Sequence, residues 1–340
     1  MLALTLFGIF FAIALAGVPL LYSILITTTG IIALQGLGHP LETIFLSFIG
    51  GVEPFILLAV PLFIFAGELL AQGGVGKRIV EFARVLFGWL PGGLGVVTVI
   101  SCTMFGGVSG SAIADTAAIG SLVIPAMVAR GYSRGFAAAL LAVAGTIALL
   151  MPLSIPFLVY AFISGVSMRT LSMAGLLPAL ATAVALIVMC MWHGKKTGVD
   201  NGEDRSTPAQ IWAATKDAGP ALMMPLIIVG GIWSGQFTPS ESAAVAVFYG
   251  LAVSLFYYRD LTWRHIPQLM LNAFSTSATV MLVIGATGAM AWLITVEQVA
   301  VQMAEWIQLV ATEQWMFLIL FNVCLLLLGI FIEPLPAMLL

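Results

Sequence analysis

Charged residues are scarce in this chain. Only 8% of its 340 residues are Asp, Glu, Lys or Arg, while 61% are hydrophobic and the mean hydropathy is +1.13. This composition is far from that of a soluble domain. The net charge of −3 comes with no basic stripe, so no nucleic-acid partner is expected.

Cysteine and histidine are also few. Three cysteines lie inside apolar segments without the spacing of metal ligands, and we interpret them as packing residues rather than disulfide partners: Cys102, Cys190 and Cys324. Three histidines fall at the edges of apolar segments and are expected at membrane interfaces: His39, His193 and His265.

Apolar runs near or beyond membrane-span length recur along the chain: Phe55–Leu70, Phe136–Ile163, Leu171–Trp192, Pro220–Trp233, Ala243–Tyr258, Ser275–Ile294 and Trp315–Ile332. They predict an all-α polytopic membrane protein. Residues 1–32 carry no basic region and no clear cleavage site, so we interpret them as structural rather than as a signal peptide. They form one long helix or two helices broken at Gly17-Val18-Pro19, and two are favoured.

Basic residues form four short clusters, and the positive-inside rule places all of them in the cytoplasm: Lys77, Arg78 and Arg84; Arg130 and Arg134; Lys195 and Lys196; Arg259 and Arg264. Two clusters on one side need an even number of passes between them. The stretch from Gly95 to Val128 is too short for two spans of about 20 residues each. We therefore predict a re-entrant hairpin over about 91–128, with its turn at Phe105–Ser111.

A second interruption lies within the next apolar run, about 136–165. Its centre reads MPLSIP and contains Pro152 and Pro156. Proline has no N–H and clashes with the carbonyl four residues earlier, so the carbonyls of Ala148 and Pro152 lose their helical partners. Irregular backbone at membrane depth is tolerated only where it is buried in protein or lines a polar cavity. Two such interruptions indicate a shared site.

An internal repeat with an offset of 224 positions pairs Glu81 with Glu305 and Ser109 with Glu333. The first amphipathic arm is mainly basic and its counterpart is acidic, which predicts repeats of opposite membrane orientation, as in secondary transporters. The predicted organisation is N-terminal scaffold helices (1–75), a first transport repeat (76–192), a cytoplasmic loop (193–219), second scaffold helices (220–296) and the start of a second transport repeat (297–340). The offset also predicts that completing the second repeat would take roughly 80 further residues.

Four stretches resemble signatures of the large membrane (M) subunit of TRAP transporters, the tripartite ATP-independent periplasmic transporters: FGGVSGSAIADTAAIGSLVIPAM, GTIALLMPLSIPFLVYAFISGVSM, GQFTPSESAAVAVFYGL and GIFIEPLPAMLL. The resemblance covers essentially the whole chain. It departs from the family at Pro152-Leu153, where the family usually has two prolines.

The resemblance implies a sodium-coupled importer of small organic acids, such as C4-dicarboxylates or sialic acid, in a bacterial inner membrane. It implies inverted repeats with an elevator-type movement of a transport domain against a scaffold, and no enzymatic activity. Na⁺ is the implied cofactor. The implied partners are a small membrane (Q) subunit and a soluble periplasmic binding protein.

Candidate site residues lie at the hairpin tips and at the break. The N-terminus of the half-helix that begins at Ala112 suits a carboxylate, and the carbonyls of the preceding arm suit a cation. The candidate substrate-binding residues are Ser111, Ala112, Asp115, Thr116 and, at the second tip, Pro334. The candidate sodium ligands are Ser109, Gly110, Ser111, Met151, Pro152, Ser154 and, at the second tip, Glu333.

Simpler interpretations stand beside these. Small residues at the tip also permit close helix packing, and Asp115 equally suits the dipole of a helix start. Thr238 and Glu241 are interpreted as a helix cap. Two other functions are weighed: a passive channel, and an intramembrane serine protease built on Ser109 in the GVSG sequence, for which no histidine within a span offers a general base.

Overall fold

The computed structural model describes residues 2–35, 38–152, 154–310, 313–331 and 338 of the chain, and these residues contain no β-strand. They form fifteen α-helices in chain order: α1 Leu2–Leu15, α2 Leu20–Gln35, α3 Leu41–Val52, α4 Ala59–Gln72, α5 Val75–Phe87, α6 Gly93–Ser109, α7 Ala112–Ala129, α8 Arg134–Thr146, α9 Ile155–Ser164, α10 Met168–Thr197, α11 Pro208–Trp233, α12 Pro239–Ala252, α13 Ile266–Val296, α14 Val299–Val310 and α15 Gln314–Phe331. Two 3₁₀ turns precede α4 and follow α8, and a π-helical turn follows α12.

Helix length and composition confirm the prediction of an all-α polytopic membrane protein. Six helical stretches in the described part of the chain are long and apolar enough to cross a membrane: Phe55–Gln72, Ala112–Ala129, Arg134–Ser164, Met168–Thr197, Pro239–Tyr257 and Ile266–Val296. The break favoured at Gly17-Val18-Pro19 is also confirmed, because α1 ends at Leu15 and α2 begins at Leu20.

The chain divides into two compact units. The first comprises Met1–Phe55 with Ala278–Leu340. Its apolar core contains Phe10, Ile24 and Leu293. Helices α3 and α13 approach closely there, since a Cβ at Gly288 would lie only 3.0 Å from Gly51 Cα. Small residues allow such backbone contact between helices.

The second unit, Ile56–Ser277, holds the hairpin and the break. Helices α6 and α7 pack against each other and against α8, and α6 also packs on the amphipathic α5 and on α10. Helix α4 packs along α12. The unit thus surrounds α6 with helices on several sides, which explains why most of its side chains are buried.

Charged side chains gather at one end of the second unit. Glu203 forms ion pairs with both Arg84 of α5 and Arg130 after α7. Arg84 and Arg130 therefore lie together, as the hairpin prediction requires. Its assignment of this end to the cytoplasm stays a prediction.

Arg78 joins the same unit's α5 to α11 and to the turn after α12. Its guanidinium binds Asp260, lies 3.5 Å from Asp217 Oδ1, and stacks 3.7 Å from the centre of the Tyr258 ring. The Tyr258 hydroxyl donates to Asp217 O at 2.8 Å and accepts from Ala221 N at 3.2 Å, so it bridges two backbone groups of α11.

Capping boxes start both α11 and α12. The loop expected over 193–219 is shorter than predicted, because α10 continues to Thr197 and α11 begins at Pro208. Thr207 and Gln210 form a capping box that starts α11 within the polar stretch. The predicted cap at Thr238 and Glu241 is confirmed as a capping box.

Candidate functional site

The hairpin turns within two residues. Helix α6 continues through Ser109, Gly110 takes the left-handed conformation with φ of 60°, and α7 begins at Ala112. Gly110 N donates to Gly106 O at 3.1 Å, and Ser111 Oγ accepts from Ala114 N at 3.4 Å. The turn predicted over Phe105–Ser111 is therefore shorter, since glycine reverses the chain without a left-handed Cβ clash.

Two hydrogen bonds at the Ser109 side chain lie directly behind this turn, and we call this arrangement the Ser109–Asp115 relay. Ser109 Oγ donates to Asp115 Oδ1 and accepts from Ser111 N at 3.2 Å. Ser109 is 2% exposed and Asp115 is fully buried. The Asp115 Oδ2 atom has no hydrogen-bond partner among the described residues. A buried carboxylate oxygen without a partner is costly, so a cation, a proton or a water molecule bound there would stabilise the fold.

The arm of the hairpin meets the break at two adjacent glycines. A Cβ at Gly106 would lie 2.7 Å from Ala148 Cα and 2.8 Å from Asp115 Oδ2. A Cβ at Gly107 would lie 3.2 Å from Met151 Cε. The structure thus places the hairpin tip and the break side by side, as the shared-site hypothesis requires.

The break itself runs from Met151 to Ser154, between the 3₁₀ turn after α8 and the start of α9. Ala148 O accepts instead from Met151 N at 3.3 Å. Pro152 O, which Pro156 leaves without an amide donor, accepts from Ser172 Oγ of α10 at 2.8 Å. Ser154 Oγ caps α9 by accepting from Phe157 N at 3.4 Å. Each carbonyl keeps a second lone pair.

The remaining predicted residues have different surroundings. Thr116 Oγ1 donates to Ala112 O within α7 at 2.7 Å. A Cβ at Gly145 of α8 would lie 2.5 Å from that same Oγ1, so Thr116 faces a close helix contact. Glu333 and Pro334, the predicted residues of the second tip, lie outside the described residues.

Three contributors are not among the candidate site residues. Gly106 and Ala148 provide the close crossing, and Ser172 supplies the hydroxyl that replaces a helical amide. The Gly106-Gly107 pair carried a usable signal, since paired small residues allow close helix approach. Ser172 carried none, because its partner, Pro152 O, lies twenty positions away in the break.

The donor set suits a hard cation. No group of three or more His, Cys, Asp or Glu side chains that could hold a metal ion occurs in the described part of the chain. The candidate ligands at the tip and the break are all oxygen atoms. They are the hydroxyls of Ser109, Ser111 and Ser154, the carbonyls of the break and the carboxylate of Asp115. Hard cations prefer oxygen ligands, whereas transition metals prefer imidazole or thiolate.

Comparison with known proteins decides the family. The family model described as "Tripartite ATP-independent periplasmic transporter, DctM component" matches residues 7–340. The chain belongs to this family. The expected resemblance is thereby confirmed.

Curated relatives agree with the DctM family. The C4-dicarboxylate TRAP transporter large permease protein DctM of Rhodobacter capsulatus is 35% identical over 349 residues, covering 98% of this chain and 79% of the relative. The sialic acid TRAP transporter large permease protein SiaM of Vibrio cholerae is 36% identical over 292 residues, covering 86% and 68%. The isethionate TRAP transporter permease protein DctMQ of Oleidesulfovibrio alaskensis is 36% identical over 333 residues, covering 98% and 52%.

These relatives are transporter permeases and not enzymes, and the same holds for this DctM-family chain. The serine protease hypothesis is therefore set aside. The dense serine and glycine pattern around Ser109 has a structural explanation, namely the short turn and the relay behind it.

Proposed function

We propose that this chain is the large subunit of a sodium-coupled importer of small organic acids in a bacterial inner membrane. Its proposed partners are a small membrane subunit and a periplasmic binding protein that delivers the substrate. The observation that carries the proposal is the buried Ser109–Asp115 relay behind the hairpin turn, beside a broken helix, in a chain of the DctM family.

The proposed cation side lies where the hairpin tip meets the break. Ser109, Gly110 and Ser111 would contribute oxygens from the tip, and Met151, Pro152 and Ser154 would contribute oxygens from the break. Bound sodium would supply the positive charge that a buried carboxylate requires. Because Asp115 is buried and already bonded to Ser109, we assign it to this side rather than to the anionic substrate.

The proposed substrate side is the start of α7. Ser111 and Ala112 lie there and are half-buried rather than enclosed. The first N–H groups of a helix and its positive dipole end stabilise a carboxylate. Thr116 lies one turn further along α7. Its hydrogen bond to Ala112 O would help to hold the shape of the helix start that receives the substrate. Pro334 and Glu333 are proposed to serve the symmetric second tip.

Transport is proposed to occur by movement of the hairpin together with the broken helix as one transport element. Close backbone crossings favour such concerted movement, because Gly106 leaves no side chain between α6 and Ala148. A passive channel would need neither this movement nor a bound cation.

The test is uptake by full-length protein reconstituted with its small membrane subunit and its binding protein. Radiolabelled C4-dicarboxylate, sialic acid and isethionate are offered separately, with an inward gradient of sodium or of potassium. We expect saturable uptake of one acid that requires the sodium gradient. Equal, unsaturable uptake in both gradients would favour a channel.

Side-chain ligation is tested with Ser109→Ala, Ser111→Ala and Ser154→Ala in the same assay. We expect at least Ser111→Ala to weaken the sodium dependence of uptake without loss of expression. The matched control is Ser121→Ala, since Ser121 lies on the same helix α7 and, among the residues that the structure describes, its side chain bonds only Ala118 O of that helix. Unchanged sodium activation in all three test variants would contradict ligation by these hydroxyls.

A further inference from the structure

The connection between α10 and α11 contacts the base of the hairpin through a dense set of polar bonds. We call residues 198–207 the strap. Neither the sodium site nor the substrate site proposed above uses it. Two of its residues, Asp200 and Glu203, make most of the contacts.

Asp200 holds both arms of the hairpin at once. Its Oδ2 accepts from Leu94 N, in the first turn of α6, at 2.7 Å, and its Oδ1 accepts from Arg130 Nη1, just after α7, at 2.9 Å. Its carbonyl accepts from Gly92 N at 2.8 Å. The Asp200 side chain is 1% exposed, so these are buried, charge-assisted bonds rather than surface pairs.

Glu203 adds the amphipathic helix to the same cluster. Its carboxylate pairs with Arg84 of α5 and with Arg130, and its N–H donates to Gly88 O at 2.8 Å. Next to it, Arg205 stacks 4.3 Å from the centre of the Trp89 ring. Seven separate contacts therefore fasten a short segment to three helix ends.

The strap backbone is shaped for this docking. Asp200 has φ of 53°, a left-handed conformation that is uncommon for residues other than glycine. Gly202 has φ of 91°, and a Cβ there would lie 2.4 Å from Trp89 O. Such conformations persist only where the surroundings hold them in place.

We propose that Asp200 and Glu203 are positioning residues that clamp the two arms of the hairpin to α5, so that the strap moves with the hairpin as one body. This inference deepens the proposed function, because the geometry of the tip depends on arms held at their base. The point at which α11 can move relative to the strap then lies at Ser206, after the last strap contact at Arg205 and before the α11 cap at Thr207.

Limited proteolysis of the purified protein tests the clamp without any transport assay. Trypsin cleaves after Arg205, which is docked on Trp89 in the folded chain. Asp200→Ala is expected to accelerate this cleavage about tenfold or more, because a buried charged acceptor is lost from two arms. Gly202→Ala, which changes no charge, is expected to do the same. Asp204→Asn is the matched control, since Asp204 is an exposed neighbour with no hydrogen bond or ion pair to the described residues.

Amide hydrogen exchange gives a second structural readout. The amides of Gly92 and Leu94 are bonded to Asp200, and that of Glu203 to Gly88 O. Asp200→Ala should increase exchange in peptides covering 88–95, whereas Asp200→Asn should retain part of the protection, because its amide oxygen still accepts from Leu94 N. Equal cleavage and exchange in Asp200→Ala and the wild type would overturn the clamp.

The sodium dependence of uptake distinguishes a positioning role of the clamp from a role in stability alone. Asp200→Ala and Arg130→Gln are expected to raise the sodium concentration for half-maximal uptake severalfold, while the rate at saturating sodium recovers. An unchanged sodium requirement in a variant whose strap is demonstrably loosened would overturn the positioning role. If instead the wild type shows no sodium-dependent uptake, the proposed function fails, and cleavage and exchange still decide whether the clamp exists.

Discussion

Alanine substitutions at the adjacent glycines Gly106 and Gly107 should have opposite effects. A Cβ at Gly106 would lie 2.7 Å from both Cα and Cβ of Ala148, atoms held by the backbone of the 3₁₀ turn that leads into the break. Ordinary contact begins at 3.4 Å, so α6 and this turn would have to separate by several tenths of an ångström. Overpacking of a rigid core costs about 1–3 kcal/mol. A Cβ at Gly107 would lie 3.2 Å from Met151 Cε, the flexible end of a side chain, and at an ordinary contact distance of 3.9 Å from Pro225 Cβ.

Both substitutions also gain helix propensity, about 1 kcal/mol for alanine over glycine in a helix. Gly107→Ala should therefore be neutral or slightly stabilising, whereas Gly106→Ala should be destabilising by up to about 2 kcal/mol. The measurement is the thermal unfolding midpoint of the two purified variants in the same detergent, compared with the wild type. A midpoint for Gly106→Ala at or above that of Gly107→Ala would refute the close crossing of hairpin and break.

Three further results are expected. Tyr258→Phe should lower stability by about 1–3 kcal/mol in chemical unfolding, because it removes two hydrogen bonds to backbone groups of α11; an unchanged midpoint would show that these two bonds contribute nothing to stability. The hydrogen bond from Arg84 lowers the pKa of Glu81, so the stability from this pair is present at neutral pH and is lost as the pH falls through that lowered pKa. Glu81→Gln should remove this part of the acid dependence of the unfolding midpoint, whereas an identical pH profile would exclude the pair as its source. Single cysteines at Arg84 and Arg130, in a background without other cysteines, should react with a membrane-impermeant reagent from the same, cytoplasmic, side; labelling of only one from the periplasm would contradict the hairpin.

Local patterns in the sequence were sufficient to predict much of the fold. The length of apolar runs indicates the membrane helices, and the capping residues at Thr238 locate a helix start. The prolines of MPLSIP locate the irregular segment between α8 and α9. These features depend on neighbours within a few residues, which is why a single sequence reveals them.

The candidate site was only partly predictable for the opposite reason. The dense run of polar and small residues in an apolar stretch indicates Ser109 and Asp115 as candidates. The hydrogen bond between them, however, depends on how tightly the chain turns at Gly110. Ser172 and Asp200 form hydrogen bonds with segments far away in sequence, at Pro152 and Leu94. No local sequence pattern predicts these partners. The polar composition around Asp200 predicts a simple loop, because composition indicates exposure to solvent and not which neighbouring helices the segment contacts.

The Asp115 oxygen that has no hydrogen-bond partner in the described part of the chain has a thermodynamic consequence for handling the protein. An unsatisfied buried charge raises the free energy of the folded state, and a ligand that binds only the folded state lowers it in proportion to the logarithm of its concentration. Under the proposed function, sodium is then a folding ligand as well as a driving ion. The order in which sodium, lithium and potassium protect the purified protein against heat would report the selectivity of the site before any substrate is known.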